Sequence, residues 1–130
     1  MKHLLVAVVI GMTAMCFAAP ARADLVNGDI LMEWAKEYRR VQAGAGDSLS
    51  LVLVRRFQVY VTGIYDAHQT LLYPLANDKI FCAPKNATVN QLSKAVLRFL
   101  DGHPERKHEA GSILVAAALA DTFPCERSTE

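Results

Sequence analysis

The sequence predicts an all-α fold, a small four-helix bundle-like domain with one disulfide. Apolar residues recur at three- and four-residue steps in four segments of the chain. Residues that start and stop helices separate these segments. No segment alternates apolar and polar residues as a half-buried strand does. The 130 residues are enough for one domain with a modest core.

The N-terminal residues 1–23 have the layout of a secretory signal peptide. Lys2 and His3 form a basic start, residues 4–19 are a nearly unbroken apolar run, and small residues surround Ala23. The alternative is a membrane anchor, but a span needs about 20 apolar residues, and this run is shorter. We therefore expect cleavage after Ala23 and no membrane association of the mature protein.

The mature domain, residues 24–130, is almost neutral. Without Lys2 and Arg22, 12 of the 14 basic residues remain against 13 acidic ones, a formal charge of −1. This balance does not favour nucleic acid or an anionic membrane surface as a partner.

Cys82 and Cys125 are the two cysteines of the mature domain, because Cys16 lies in the signal peptide. An even number of cysteines in an exported protein indicates a disulfide. On the chain-entropy model, closing a loop of this length stabilises the fold by about 4 kcal/mol. The competing interpretation makes Cys82 a nucleophile, but the sequence positions no base beside it.

The first predicted helix runs from about Gly28 to Ala43 and has one apolar stripe. The glycines of "AGAGDS" then form a connector, and Asp47 or Ser48 caps the next helix. A phosphate-binding loop is the alternative for these glycines, but no lysine follows them and no strand precedes them.

The second predicted helix, from about Ser48 to Leu72, is apolar on several sides. Such a helix is usually central, and we expect the others to surround it. Gly63 is interpreted as a point of close helix contact, and Pro74 ends the helix.

The third predicted helix starts at a capping box, in which Thr88 and Gln91 satisfy each other's exposed backbone donors. Gly102 fits a left-handed stop, and Pro104 prevents continuation. The fourth helix runs from about Glu109 to Thr122 and carries small apolar residues that suit tight packing.

The segment "DGHPERKHE" between these two helices is rich in ionisable residues. Metalloprotease spacing places two histidines four apart on one helix, whereas His103 and His108 are five apart and straddle Pro104. Asp66 and His68, two apart on a helix, point to different sides, and His68 falls on the apolar stripe. We therefore expect no catalytic residue, no metal and no cofactor.

The same segment has two further interpretations. It is either a solvated connector or a stiff protruding loop that fills a groove of another protein with little loss of entropy. The candidate partner-binding residues are Asp101, His103, Glu105, Arg106, Lys107, His108 and Glu109.

Four segments carry a resemblance to a known family: "YVTGIYDAH", "IFCAPKNATVNQLSKAVLRFL", "HPERKHEAGSILVAAAL" and "FPC". They resemble the Rap/Tai family of periplasmic immunity proteins of type VI secretion systems, from about Leu25 to Cys125. The resemblance implies an all-α, often dimeric protein. It also implies a cognate partner, a peptidoglycan amidase effector whose substrate groove helices and a projecting loop would plug.

The chain departs from the family at one point. Many relatives carry another cysteine pair linking the first two helices, and the matching positions here are Ala35 and Phe57. The loss of both cysteines leaves no unpaired thiol, and packing of Phe57 can replace the crosslink.

The leading hypothesis is a periplasmic inhibitor, a homodimer without enzymatic activity, that occludes the catalytic cleft of an amidase effector. The alternative is a periplasmic stress or holding chaperone that exposes apolar surface when its carboxylates and histidines are protonated. A small hydrolase is the third class, for which the sequence offers no catalytic constellation.

Overall fold

The computed structural model describes residues 25–72 and 79–126. The predicted signal peptide, the predicted helix stop at Pro74 and residues 127–130 lie outside this described part.

Four α-helices form the described part of the chain: α1 (Gly28–Gln42), α2 (Ser48–Ala67), α3 (Val89–Gly102) and α4 (Gly111–Thr122). A π-helical turn, His68–Leu72, continues α2, and a 3-10 turn, Pro104–Arg106, follows α3. The described residues contain no strand, and their one isolated backbone bridge joins Asn27 to Ala110. The predicted all-α class is confirmed, and the helix bounds lie close to those expected.

The helix starts follow the predicted side-chain chemistry. The Asp47 carboxylate accepts the Ser50 amide hydrogen at 2.8 Å. At α3 the Thr88 hydroxyl accepts the Gln91 amide hydrogen at 3.2 Å, and the Gln91 side chain accepts that of Thr88 at 2.8 Å. The predicted capping box is therefore present. Asn27, which the sequence analysis did not single out, caps α1 in the same way.

The prediction of a left-handed stop at Gly102 is wrong, and that conformation occurs at Gly44 instead. Gly44 has φ 75°. The amide groups of Gly44 and Ala45 donate to the carbonyls of Val41 and Arg40, which is a Schellman closure of α1. Gly102 remains helical because the next residue, His103, ends α3 through its own backbone and side-chain hydrogen bonds.

The core lies where α3 and α4 pack against one face of α1 and α2. Its largest fully buried apolar side chains come from all four helices and from the link before α3: Phe57, Phe81, Leu31, Leu92, Leu114, Leu119, Val61, Val96 and Val115. Ala35 and Phe57, where the family resemblance led us to expect a second cysteine pair, are both fully buried. Apolar packing thus joins α1 to α2 without a crosslink.

The prediction that α2 is surrounded by the other helices is wrong for the described chain. Phe57, Val61 and His68 face the core, whereas Leu49, Val52 and Val59 are 65%, 49% and 64% exposed. A Cβ added to Gly63 would meet nothing within 4 Å, so this glycine is not a contact between helices of the described chain. The described residues leave part of the apolar surface of α2 uncovered.

Cys82 and Cys125 form the predicted disulfide, with their Cα atoms 4.9 Å apart. Beside it, the Cys82 amide donates to the Phe123 carbonyl at 2.8 Å. The bond therefore fastens the end of α4 to the link that leads into α3, as the sequence analysis expected.

His68 is a buried histidine of the core, as predicted. Its Nε2 accepts the Ile80 amide hydrogen at 3.0 Å, and its ring stacks on Phe81 with the centroids 4.0 Å apart. Nδ1 has no hydrogen-bond partner among the described residues. Burial lowers the pKa of His68, and the charge of Lys79 lowers it further.

This environment predicts a loss of stability below about pH 6.5, the ordinary pKa of an unfolded histidine. Because the pKa of folded His68 is lower, the unfolded chain binds more protons, and the free energy of unfolding falls as pH drops. A His68→Gln variant should be less stable at neutral pH but should lose less stability on acidification. Urea unfolding at several pH values between about 7.5 and 5.5 measures how steeply the free energy of unfolding falls with pH for wild type and for His68→Gln. His108→Gln, at an exposed histidine, is the control. An equal fall in the free energy of unfolding with pH for wild type and His68→Gln would contradict the prediction.

Candidate functional site: the loop between α3 and α4

The loop that carries the candidate residues begins at His103, which is held on the end of α3. The His103 Nδ1 atom lies 2.8 Å from the Phe99 carbonyl oxygen. The imidazole also stacks on the Phe99 ring, with the centroids 4.1 Å apart. Half-buried and bonded to its own helix, His103 acts as the stop of α3.

Arg106 and Glu109 close the loop with a bidentate ion pair. The Arg106 Nε and NH2 groups donate to the two Glu109 carboxylate oxygens at 2.6 and 2.7 Å. The Arg106 guanidinium carbon also lies 5.3 Å from the centroid of the Phe99 ring. The hydrogen bonds from Arg106 lower the pKa of the Glu109 carboxyl, and the same bonds raise the pKa of Arg106. Both side chains are thus committed to bracing the loop.

The loop also packs directly on the start of α1. The Gly28 amide donates to the Glu109 carbonyl at 3.0 Å, and the Gly111 amide donates to the Val26 carbonyl at 2.8 Å. A Cβ on Gly28 would lie 2.5 Å from the Lys107 carbonyl oxygen, so only glycine permits this approach. This role of Gly28 is not predictable from the sequence, because the contact joins segments far apart in the chain.

The remaining candidate side chains face outward. Glu105, Lys107 and His108 are exposed. The His108 side chain is 76% exposed, and its Nδ1 atom lies 3.4 Å from the Asp29 carboxylate. Asp101 is also exposed and forms an ion pair with Arg39 of α1. The structure brings all seven candidate residues to one end of the bundle. His103, Arg106 and Glu109 form the frame of the loop, and two acids, an amine and an imidazole remain on the outside.

The described residues of the loop offer charged and hydrogen-bonding groups that could bind another molecule, but no arrangement of catalytic or metal-binding side chains. His103 and His108 do not converge, and the described residues contain no group of three or more histidine, cysteine or acidic side chains that could hold a metal ion. Within the same residues, no helix is long and apolar enough to cross a membrane. The braced loop can donate and accept hydrogen bonds at its surface and can pair with charges of either sign.

Comparison with known proteins identifies one family. The family model of the Rap1a immunity proteins matches residues 27–125, which include all four helices, the loop and both cysteines of the disulfide. Searches of curated proteins and of solved structures gave no match. The chain therefore belongs to the Rap1a family of immunity proteins, which act against a secreted effector.

Proposed function

We propose that this chain is a periplasmic immunity protein of a type VI secretion system, which binds a peptidoglycan amidase effector and occludes its active site. Membership of the Rap1a family supports an immunity role with a cognate effector. The signal-peptide pattern of residues 1–23 supports export, and the disulfide suits an oxidising compartment.

The observation that carries the proposal is the braced loop from Asp101 to Glu109. Its frame is fixed by the Arg106–Glu109 pair and by the Gly28 contact, while Glu105, Lys107 and His108 remain exposed. A loop that is already ordered loses little conformational entropy when it enters a groove. Exposed charges at its rim favour encounter and orientation more than they add affinity.

Inhibition in this proposal involves no reaction by the immunity protein. Immunity protein families are generally non-enzymatic, and the described residues of the loop place no nucleophile beside a base. Occlusion needs only a surface whose shape and charge match the effector's cleft.

Truncating the outward side chains should weaken the complex without unfolding the protein. A Glu105→Ala/Lys107→Ala/His108→Ala variant leaves the frame intact, so its melting temperature should stay close to that of wild type. We expect its affinity for the effector to fall by roughly tenfold or more, since interface truncations above 1 kcal/mol are typical of contact residues. Calorimetric titration with the purified cognate amidase effector measures the change.

The matched control removes charges at the opposite end of the bundle. Lys85 and Glu126 are exposed residues on either side of the disulfide, so Lys85→Ala/Glu126→Ala should bind as wild type does. Unchanged affinity of the loop variant would remove the loop from the interface.

We further propose that the protein is a homodimer that pairs through the outer face of α2. Val52 and Val59, seven residues apart, lie on this face with Arg55 and Asp66. In an antiparallel contact centred between Val59 and Thr62, Arg55 of each copy meets Asp66 of the other. This pairing supplies opposite charges on both sides of an apolar centre.

A charge placed at the middle of this face should separate the copies. Val59→Arg is expected to give a monomer, whereas Ile113→Arg, at a comparably exposed apolar position on α4, should not change the mass. Sedimentation equilibrium measures the molar mass of each variant. A wild-type monomer, or a dimer that persists in Val59→Arg, would rule out this interface.

The alternative function, an acid-activated holding chaperone, is favoured by the exposed apolar residues of α2 and by buried His68. It requires apolar dye binding and protection of client proteins at mildly acidic pH, without a stoichiometric effector complex. Those observations together would replace the immunity proposal.

A further inference from the structure

A groove that adjoins the loop at Asp101 lies between α3 and the end of α4. Its volume is about 460 Å³, and Leu97 and Phe123 line it together with the polar side chains Lys94, Arg98 and Asp101. Leu97 is buried and Phe123 is half-buried, and both contribute apolar surface to the groove. The groove has the size of a site for one or two side chains of another protein.

The rim of this groove carries an uncompensated positive charge. Lys94 and Arg98 are four residues apart and therefore lie on the same side of α3. Neither forms an ion pair within the described ranges 25–72 and 79–126. Asp101, the acidic residue of the lining, is already paired with Arg39. An occupant with carboxylates would therefore complement this rim.

The wall formed by Phe123 is held in place before any partner arrives. The Phe123 amide donates to the Leu119 carbonyl, and its carbonyl accepts the Cys82 amide hydrogen, both at 2.8 Å. The Cys82–Cys125 bond follows two residues later. A preformed wall lowers the conformational cost of docking.

We propose that this groove is a second contact for the effector, and that it takes an apolar side chain flanked by carboxylates. The proposal rests on the proposed function. A second copy of this chain fits less well, because a twofold contact here sets Lys94 and Arg98 against their own copies. The groove is also continuous with the loop, since Asp101 lines both this groove and a neighbouring cavity that Pro104 closes.

The test reverses the charge of the rim and fills the groove in separate variants. The probe is the purified cognate amidase effector, titrated by calorimetry at low and high salt. Lys94→Glu/Arg98→Glu should bind roughly tenfold more weakly or worse and show less salt dependence. Thr122→Trp, which fills the groove without altering charge, should also weaken binding.

Lys36→Glu/Lys85→Glu is the control, with the same change of net charge at two exposed positions outside the groove. It should bind within about twofold of wild type. Melting temperatures confirm that each variant is folded. If both groove variants bind as wild type does while the loop variant does not, the groove is excluded and the proposed function stands. If wild type fails to bind the effector, both proposals are overturned.

Discussion

Removing the Cys82–Cys125 disulfide is expected to lower the free energy of unfolding by about 4 kcal/mol. The cysteines are separated by 43 positions, so the crosslink removes much of the freedom of the unfolded chain. In the folded state the bond secures the Cys82–Phe123 backbone contact and hence the end of α4. A loss of this size is a large share of the 5–15 kcal/mol typical of small domains.

Denaturant unfolding of wild type with and without a thiol reductant measures this loss. The Cys82→Ala/Cys125→Ala variant should match reduced wild type and should itself be insensitive to the reductant. A wild-type transition that the reductant leaves unchanged would show that the bond contributes nothing.

Replacing Phe57 with alanine is expected to destabilise the fold by about 3–5 kcal/mol, as for other buried aromatic truncations. Phe57 is fully buried, and its ring meets that of Tyr38 edge-on, with the centroids 5.8 Å apart. The Tyr38 hydroxyl in turn donates to the Asn90 side chain of α3 at 2.8 Å. Phe57 therefore supports the junction of α1, α2 and α3.

The same unfolding measurement with Leu49→Ala gives the control. Leu49 belongs to α2 as well but is exposed, so its truncation should change stability by no more than about 0.5 kcal/mol. A similar effect for both variants would mean that burial of Phe57 makes no special contribution to the junction of α1, α2 and α3.

The helix positions were predictable because their signals are local. Asp47 and the Thr88–Gln91 pair each satisfy backbone donors within the same turn, so neighbouring residues are enough to identify them. The fold class follows from these starts together with the apolar periodicity of four segments. The choice between Gly44 and Gly102 as the left-handed residue was missed although its cause is local, because the side chain of His103 bonds back to the Phe99 carbonyl and competes with a glycine stop.

The environment of α2 was not predictable from its composition. Apolar residues such as Val52 and Val59 look the same in sequence whether the chain itself or a partner covers them. The expectation of a central helix assumed that all the apolar surface is buried within one chain. The structure instead leaves that face open.

The sequence predicts a charged connection between α3 and α4, but the roles of the residues within it depend on tertiary contacts. The spacing of Arg106 and Glu109 is compatible with an ion pair, yet only the fold shows that both are committed to it. The approach of Lys107 to Gly28 joins residues at opposite ends of the domain sequence. The groove at Lys94 and Arg98 likewise exists only once α4 has packed beside α3.

The most direct test of occlusion is a titration of the effector's peptidoglycan hydrolysis with this protein. Occlusion predicts that hydrolysis falls linearly to zero at one protomer per effector, with the masses of both proteins unchanged. Full effector activity at excess protein would contradict the central claim. So would complete inhibition at far less than one equivalent, because that result requires a catalytic modification rather than a blocked cleft.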